Sequence, residues 1–300
     1  MAEITLIDDF AVDCQLRGIR YPKTAIYYIR DFATTCEDLQ NAGRADLKRY
    51  LSILRGRNLK QSSIQKAYTH LSSFYEYLVD EDLVAANPVL SFRKRYLQIY
   101  KEQIAQDVRQ LISIEDASRL VNSTLDSRDK AILILLFKTG MRANELLALD
   151  VGDVDIMKME IHLKPTAKRS NRLLFFDEET ATVLGAWLRA RNFRSTLGGD
   201  ALFTSRTRPR LAITGLERAV SKHAARVGLH DPASPLLEKR FTPHCARHFF
   251  STWLYRAGME ERYIAWLRGD APRGAMGPYV HIDPEDVRKS YLAHVPRLGV

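Results

Sequence analysis

Residues 241–250 read "FTPHCARHFF", and the fold turns on how this short stretch is read. Thr242 is a favoured N-cap residue, and Pro243 suits the first helical position, where its missing N–H costs nothing. The apolar pattern running on through "HCARHFFSTWLYRAG" (244–258) makes this the start of a long helix. His244 and Arg247 then lie three apart on one face of its first turn, with His248 beside them. That turn carries unpaired backbone N–H groups and the positive end of the helix dipole, which favour an anion. Two readings stand on this stretch alone: a capped helix with a solvated basic end, or a seat for an anion.

Helical patterns surround the stretch. "EETATVLGAWLRAR" (178–191), "GLERAVSKHAARVG" (215–228), "EERYIAWLRG" (260–269) and "PEDVRKSYLAHV" (284–295) keep an apolar face. So does "SRDKAILILLFKTG" (127–140), closed by Gly140 and followed by "ANELLAL" (143–149). "EIHL" (160–163) and "RLLFF" (172–176) alternate instead, and the polar loop "KPTAKRSN" between them predicts a β-hairpin. The first 86 residues read as helices as well. In "SSIQKAYTHLSSFYEYLV" (62–79), Ile64, Tyr68, Leu71, Phe74, Tyr75 and Leu78 form a stripe, and Ser62 with Gln65 is spaced as a capping box. "TAIYYIRDFATTCEDL" and "RADLKRYLSILRG" read alike, with Gly56 placed to end the second. Asn87-Pro88 breaks the pattern, and the basic "SFRKRYLQIYKEQ" (91–103) reads as linker. The expected fold class is mainly α with a small antiparallel β-sheet. Its domains are a helical unit over 1–90, a basic linker over 91–110, and a larger unit over 111–300 that ends in a helix at 284–295.

Composition narrows the partners. The chain has 300 residues, 46% hydrophobic and 27% charged, which fits folded rather than disordered protein. The opening "MAEITLIDDF" has neither the basic region nor the apolar run of a signal peptide, and no run of about 18 apolar residues exists to span a membrane. Cys14, Cys36 and Cys245 are scattered, with no metal spacing, and suit a reducing cytoplasm. Residues 1–90 hold 11 Lys/Arg and 12 Asp/Glu, whereas residues 91–300 hold 34 and 24. Even the near-neutral part is uneven, with seven cations and one anion from Arg44 to Lys66. A polyanion gripped by the larger unit and by this patch accounts for the imbalance, as would a merely solubilising surface.

Three further pieces carry candidate chemistry. Arg142 follows the Gly140 turn, with Glu145 three residues on to orient it, though a surface ion pair would look the same. The hairpin loop offers Lys164, Lys168, Arg169 and Arg172 with no acid among them. A lysine there can swing onto a phosphodiester or protonate a leaving oxygen, or simply be solvated. "WLRGDAPRGAMGPYVHID" (266–283) presents Tyr279 and His281 on a Gly/Pro-rich tether ahead of the helix begun by Asp283 and Pro284.

In this order, "TGMRANELLAL", "TPHCARHFFSTWL" and "GPYVHID" make the chain resemble the tyrosine recombinase (phage integrase, Xer-like) family over nearly its whole length. The resemblance implies a two-domain architecture, a helical core-binding domain plus a catalytic domain, that embraces double-stranded DNA at a specific recombination site. It implies site-specific recombination through a covalent 3′-phosphotyrosyl intermediate, with no metal, ATP or other cofactor. Tyr279 would be the nucleophile, Arg142 and Arg247 the clamp on the non-bridging oxygens, and His244 a proton acceptor or phosphate ligand. Lys168 would be the general acid, with Lys164 its alternative. Arg44, Lys48, Arg49, Arg55, Arg57, Lys60, Arg93, Lys94, Arg95, Arg169 and Arg172 would contact DNA, mostly at phosphates. A homotetramer on DNA is implied, exchanging a terminal helix, for which Val287, Tyr291 and Val295 offer an apolar face, in a cytoplasmic, nucleoid-associated setting. One position departs from the pattern. The family usually has His nine residues before the tyrosine, and here that place is Asp270, a carboxylate that would repel a nearby phosphate. A protonated Asp270, a role in orienting a neighbour, or replacement by Arg268, Arg273 or His281 would each accommodate it.

Rival readings are a type IB topoisomerase-like nicking-closing activity, a catalytically weak DNA-binding member of the fold, and a metal-dependent nuclease. The last finds no paired ligand spacing in the sequence.

Overall fold

The computed structural model describes residues 2–19, 22–98, 110–165, 171–194, 199–234, 236–270 and 282–300. The chain divides into two compact units, Met1–Gln106 and Asp107–Val300.

The first unit is helical: α1 (Ala2–Leu16), α2 (Lys23–Ala33), α3 (Arg44–Gly56), α4 (Gln61–Asp80) and α5 (Pro88–Tyr96). The whole predicted stripe of α4, from Ile64 to Leu78, is buried. It packs with Phe10, Ile29, Phe32, Leu47, Tyr50 and Leu54 into one core. Three core tyrosines keep their hydroxyls satisfied. Tyr50 donates to Asp31 at 2.9 Å, Tyr68 to the Leu47 carbonyl at 2.6 Å, and Tyr75 to the Leu39 carbonyl at 2.7 Å. Two local expectations fail here. The Ser62/Gln65 capping box does not form, because α4 starts at Gln61 with Lys60 as its N-cap, and Gln65 instead donates to the Leu97 carbonyl at 2.7 Å. The linker expected from residue 91 begins later. Asn87 caps α5 through the Val89 N–H, and Val89 and Phe92 are buried in the first core. Phe92 stacks on Tyr68 at 5.3 Å, so the basic run "RKR" is the exposed side of a packed helix.

The second unit is built round α7 (Ser127–Thr139), preceded by α6 (Ile114–Asn122). Residues 131–139 are all buried, which explains why this helix is apolar all round rather than striped. Against it pack α9 (Glu178–Arg194), α10 (Ile213–Arg226) and α11 (Pro243–Arg256). The short α8 (Ala143–Ala148) follows the Gly140 turn, and α12 (Glu261–Arg268) and α13 (Pro284–His294) complete the order. The predicted hairpin is present: β2 (Glu160–His162) pairs antiparallel with β3 (Leu173–Phe175), in the register Ile161 opposite Leu174. A third strand, β1 (Val154–Asp155), pairs with β2 and was not foreseen. Two residues carry no readable alternation.

The unforeseen polar feature of this unit is Lys138, 1% exposed in α7. Its ammonium bonds Asp177 and Glu179, each at 2.5 Å, and the Pro296 carbonyl at 2.7 Å. Glu179 in turn accepts the N–H groups of Leu298 at 2.9 Å and Gly299 at 2.7 Å. Val287 and Tyr291 of α13 are fully buried in their own unit, and the Tyr291 hydroxyl donates to the Lys138 carbonyl at 2.8 Å. The face expected to be exchanged with a neighbour is thus packed at home, and residues 296–299 are tied down beside it.

Candidate active site

Gly140 ends α7 in the left-handed region, with φ 58°. A Cβ there would come within 2.7 Å of the Phe250 ring carbon Cγ, so both the turn and the close approach of α11 require glycine. The turn delivers Arg142 to the N-cap of α8. Glu145, almost fully buried, accepts the Arg142 backbone N–H at 2.7 Å through Oε2 and Nη1 at 3.0 Å through Oε1. One carboxylate thus caps the helix and contacts the guanidinium.

From α11 comes Arg247, 7% exposed. Its Nη1 donates to the Gly140 carbonyl at 2.5 Å, and its Nη2 to the Arg268 carbonyl at 3.0 Å. Burial, and then the nearby charges of Arg142 and Arg268, pull its pKa down to about 10, which still leaves it charged at neutral pH. Thr242 is the N-cap of α11, as read from the sequence, but the Cys245 thiol takes part in the cap, with Sγ accepting the Thr242 N–H at 3.4 Å. His244 is exposed on the same first turn. Arg142, His244 and Arg247 line one cavity of about 620 Å³, together with Asn144, Ile213 and Arg240. Asp270 borders the two arginines from a neighbouring cavity of about 230 Å³ that it lines with Ser251 and Arg268. Its Oδ1 is 3.5 Å from Arg247 Nη2 and 3.8 Å from Arg142 Nη2, and its Oδ2 is 2.9 Å from Arg268 Nε. The position that departs from the family pattern is thus an ionic hub.

The hairpin loop is seen only at its ends. Lys164 is ion-paired to Asp150, which also takes Arg210, and Asp153 lies 3.9 Å away. The Lys164 and Arg210 bonds, working against partial burial, hold the Asp150 carboxyl below the usual range. Asn171 donates to the Trp266 carbonyl at 3.3 Å, fastening the hairpin to α12. Arg172 is exposed. Lys168, Arg169, Tyr279 and His281 lie outside the described residues.

On the first unit, Arg44 and Lys48 of α3 and Arg95 of α5 surround the Tyr96 ring, 5.5, 5.8 and 5.9 Å from its centroid. The slight burial of Tyr96 opposes ionisation, but the Arg44 hydrogen bond and the three positive charges outweigh it and hold the phenol below its ordinary pKa. Arg55, Lys60 and Lys94 are exposed. Arg49 is committed to the Thr35 carbonyl and Asp46, Arg57 to Asp31, and Arg93 to the Thr69 hydroxyl. The basic expectation thus separates into a cationic patch round Tyr96 and cations that pin the helices together.

Residues 104–285 match the phage integrase family. The chain belongs to that family. By this membership it is an enzyme of the tyrosine recombinase class, whose activity is site-specific DNA recombination. It is 31% identical to the tyrosine recombinase XerC of Herpetosiphon aurantiacus over 81% of this chain and 76% of that protein. It is 27% identical to the XerC of Pelotomaculum thermopropionicum over 97% and 98%. In fold it is similar to the integrase of the Tn1549 transposon, solved with a circular intermediate DNA. The TM-score is 0.68 at 16% identity, over 95% of this chain and 97% of that one. The mainly helical integrase fold with its small sheet is therefore the fold expected from the sequence. Of the three residues named as alternatives to the usual histidine, Arg268 lies against Asp270, and Arg273 and His281 lie outside the described residues. Among the described residues, no cluster of His, Cys, Asp or Glu is placed to hold a metal, and no helix is long and apolar enough to cross a membrane.

Proposed function

We propose that this integrase-family chain cleaves and rejoins DNA strands with Tyr279 as nucleophile and Arg142, Arg247 and His244 at the scissile phosphate. The observation that carries this reading is the convergence of two guanidiniums on one anionic group beside a helix N-terminus. A guanidinium offers planar, permanently charged, bidentate contacts, which suits the non-bridging oxygens of a pentavalent phosphorus. A phenol titrates near 10 and needs its proton taken; His244 accepts it. The Tyr279 oxygen then bonds to phosphorus as the 5′-oxygen leaves, and Lys168 protonates that oxygen. Attack by a 5′-hydroxyl runs the step backwards, and the bond energy is kept in the phosphotyrosyl link.

The cations round Tyr96 are suited to grip the DNA backbone, and the partner is double-stranded DNA carrying a recombination site. A homotetramer on that DNA is part of the proposal. So is a cytoplasmic setting. The test is a library of nicked suicide duplexes that trap a denaturation-resistant adduct. The adduct is expected in wild type and in Tyr291→Phe, whose hydroxyl is sealed in the core, and absent in Tyr279→Phe. An adduct that survives Tyr279→Phe overturns the assignment. Strand exchange between two sites, rather than relaxation of supercoils alone, separates recombination from topoisomerase action.

A further inference from the structure

We infer that Arg268 is a third guanidinium of the phosphate site, and that Asp270 is its resident counter-anion, which the scissile phosphate displaces. This rests on the reading of Arg142 and Arg247 as a phosphodiester clamp.

The carboxylate of Asp270 touches all three guanidiniums, at 3.8 Å (Arg142), 3.5 Å (Arg247) and 2.9 Å (Arg268). An anion is therefore already seated where these groups converge, and a phosphate that engaged them would need the same space. Arg268 is held there by its chain. Its carbonyl takes a bond from Arg247 at 3.0 Å, and its Nη1 reaches the Ser251 hydroxyl at 3.4 Å. Ser251 bonds in turn to the Arg247 carbonyl at 3.1 Å. Arg268 and Arg247 are thus tied to each other through Ser251 and the Arg268 carbonyl. The Asp270 side chain is 30% exposed, so its carboxylate borders solvent as well as the three guanidiniums.

The charge count favours exchange. Three guanidiniums against the buried Glu145 leave +2, and Asp270 lowers this to +1. A phosphodiester carries −1, and its pentavalent transition state carries −2. Withdrawing Asp270 therefore raises by one unit the positive charge that faces the transition state, to which His244 and Lys168 add theirs. The family's donor at position 270 is absent here, and Arg268, two residues earlier, supplies a charged one.

Two experiments on the full chain test this. In the first, inorganic phosphate is titrated calorimetrically at fixed ionic strength, which needs no recombination site. Asp270→Asn, with Asp270→Ser as a second variant, is expected to bind phosphate about tenfold more tightly, since a competing charge is gone. Unchanged or weaker binding overturns the inference. The second follows adduct formation on the suicide duplex. Asp270→Asn should react faster and Arg268→Gln about 10²-fold slower, and the Arg268→Gln loss should persist in the Asp270→Asn background. If that loss vanishes there, Arg268 merely neutralised Asp270. If Asp270→Asn slows the reaction, Asp270 positions the arginines. Either result defeats the inference while a Tyr279-dependent adduct leaves the recombinase reading standing. Absence of such an adduct defeats that reading, and the phosphate titration still decides this one.

Discussion

Replacing Gly140 by alanine tests the hinge on which the clamp is mounted. At φ 58° an L-residue with a Cβ loses roughly 1–2 kcal/mol. The new methyl would also meet the Phe250 ring at 2.7 Å from Cγ and 3.0 Å from Cε1. Phe250 is 1% exposed in the main core and has nowhere to go, so overpacking adds about 1–3 kcal/mol. The sum, roughly 2–5 kcal/mol, corresponds to a fall in Tm of about 4–20 °C for a unit of this size. Because the Gly140 carbonyl holds Arg247 and the turn aims Arg142, cleavage should fall even where the protein remains folded. Thermal melts followed by circular dichroism give the first quantity, and adduct formation well below the transition gives the second. Phe250→Leu in the Gly140→Ala background should recover part of the loss, the steric part, and leave the backbone strain. A variant that melts within 1 °C of wild type, or that melts early yet cleaves at full rate, refutes the reasoning.

Arg142→Ala should slow adduct formation by about 10²–10³-fold with little change in melting temperature, since the side chain is partly exposed; a loss of stability matching the loss of activity would contradict this. Glu145→Gln keeps one oxygen for the Arg142 backbone N–H but sets its amide NH₂, a donor, against the Nη1 donor. A charge-assisted bond worth about 1.5–3 kcal/mol is lost, so single-turnover cleavage should drop by about ten- to a hundredfold, and full activity would show that Arg142 needs no such aim. Burial raises the Glu179 pKa, but the Leu298 and Gly299 N–H groups and Lys138 outweigh it and hold the carboxyl below 4.5. A depressed folded-state pKa stabilises above the ordinary glutamate value and is lost as pH falls through the folded one. The gap in Tm between wild type and Glu179→Gln should therefore be constant near neutrality and shrink below about pH 4.5. An unchanged gap at pH 3.5 would exclude this anchoring.

The elements that were legible are those whose cause is local. The α4 stripe, the Gly140 stop, the Thr242-Pro243 start and the hairpin each follow from periodicity or backbone chemistry within a few residues. What escaped depends on distant partners. Gln65 sits correctly for a capping box, yet the Leu97 carbonyl, 32 positions on, takes its amide. The run "RKR" reads as linker because its apolar partners, Val89 and Phe92, are few and the core they enter lies elsewhere in the sequence. Lys138 looks like a misplaced charge in an apolar helix until Asp177, Glu179 and the 296–299 segment are brought to it. That same socket explains why the apolar face of α13 folds home: it continues into a segment with fixed partners in its own unit.

Asp270 shows how a departure from a motif is misjudged when only spacing is visible. Taken against an absent phosphate, a carboxylate there is repulsive. In the folded chain the comparison is different. Arg142 and Arg247 both lie within 3.8 Å of one oxygen, so their facing nitrogens are no more than about 7 Å apart. Their charges then repel by roughly 2 kcal/mol at an effective dielectric of about 20, and Arg268 adds to this. Before DNA arrives, that repulsion must be met by some anion. Glu145 offsets it from the Arg142 side, and Asp270 offsets it where the three guanidiniums meet. On the reading proposed above, Asp270 is a replaceable ligand of the clamp, and Arg268, 2.9 Å from it, is the donor that stays.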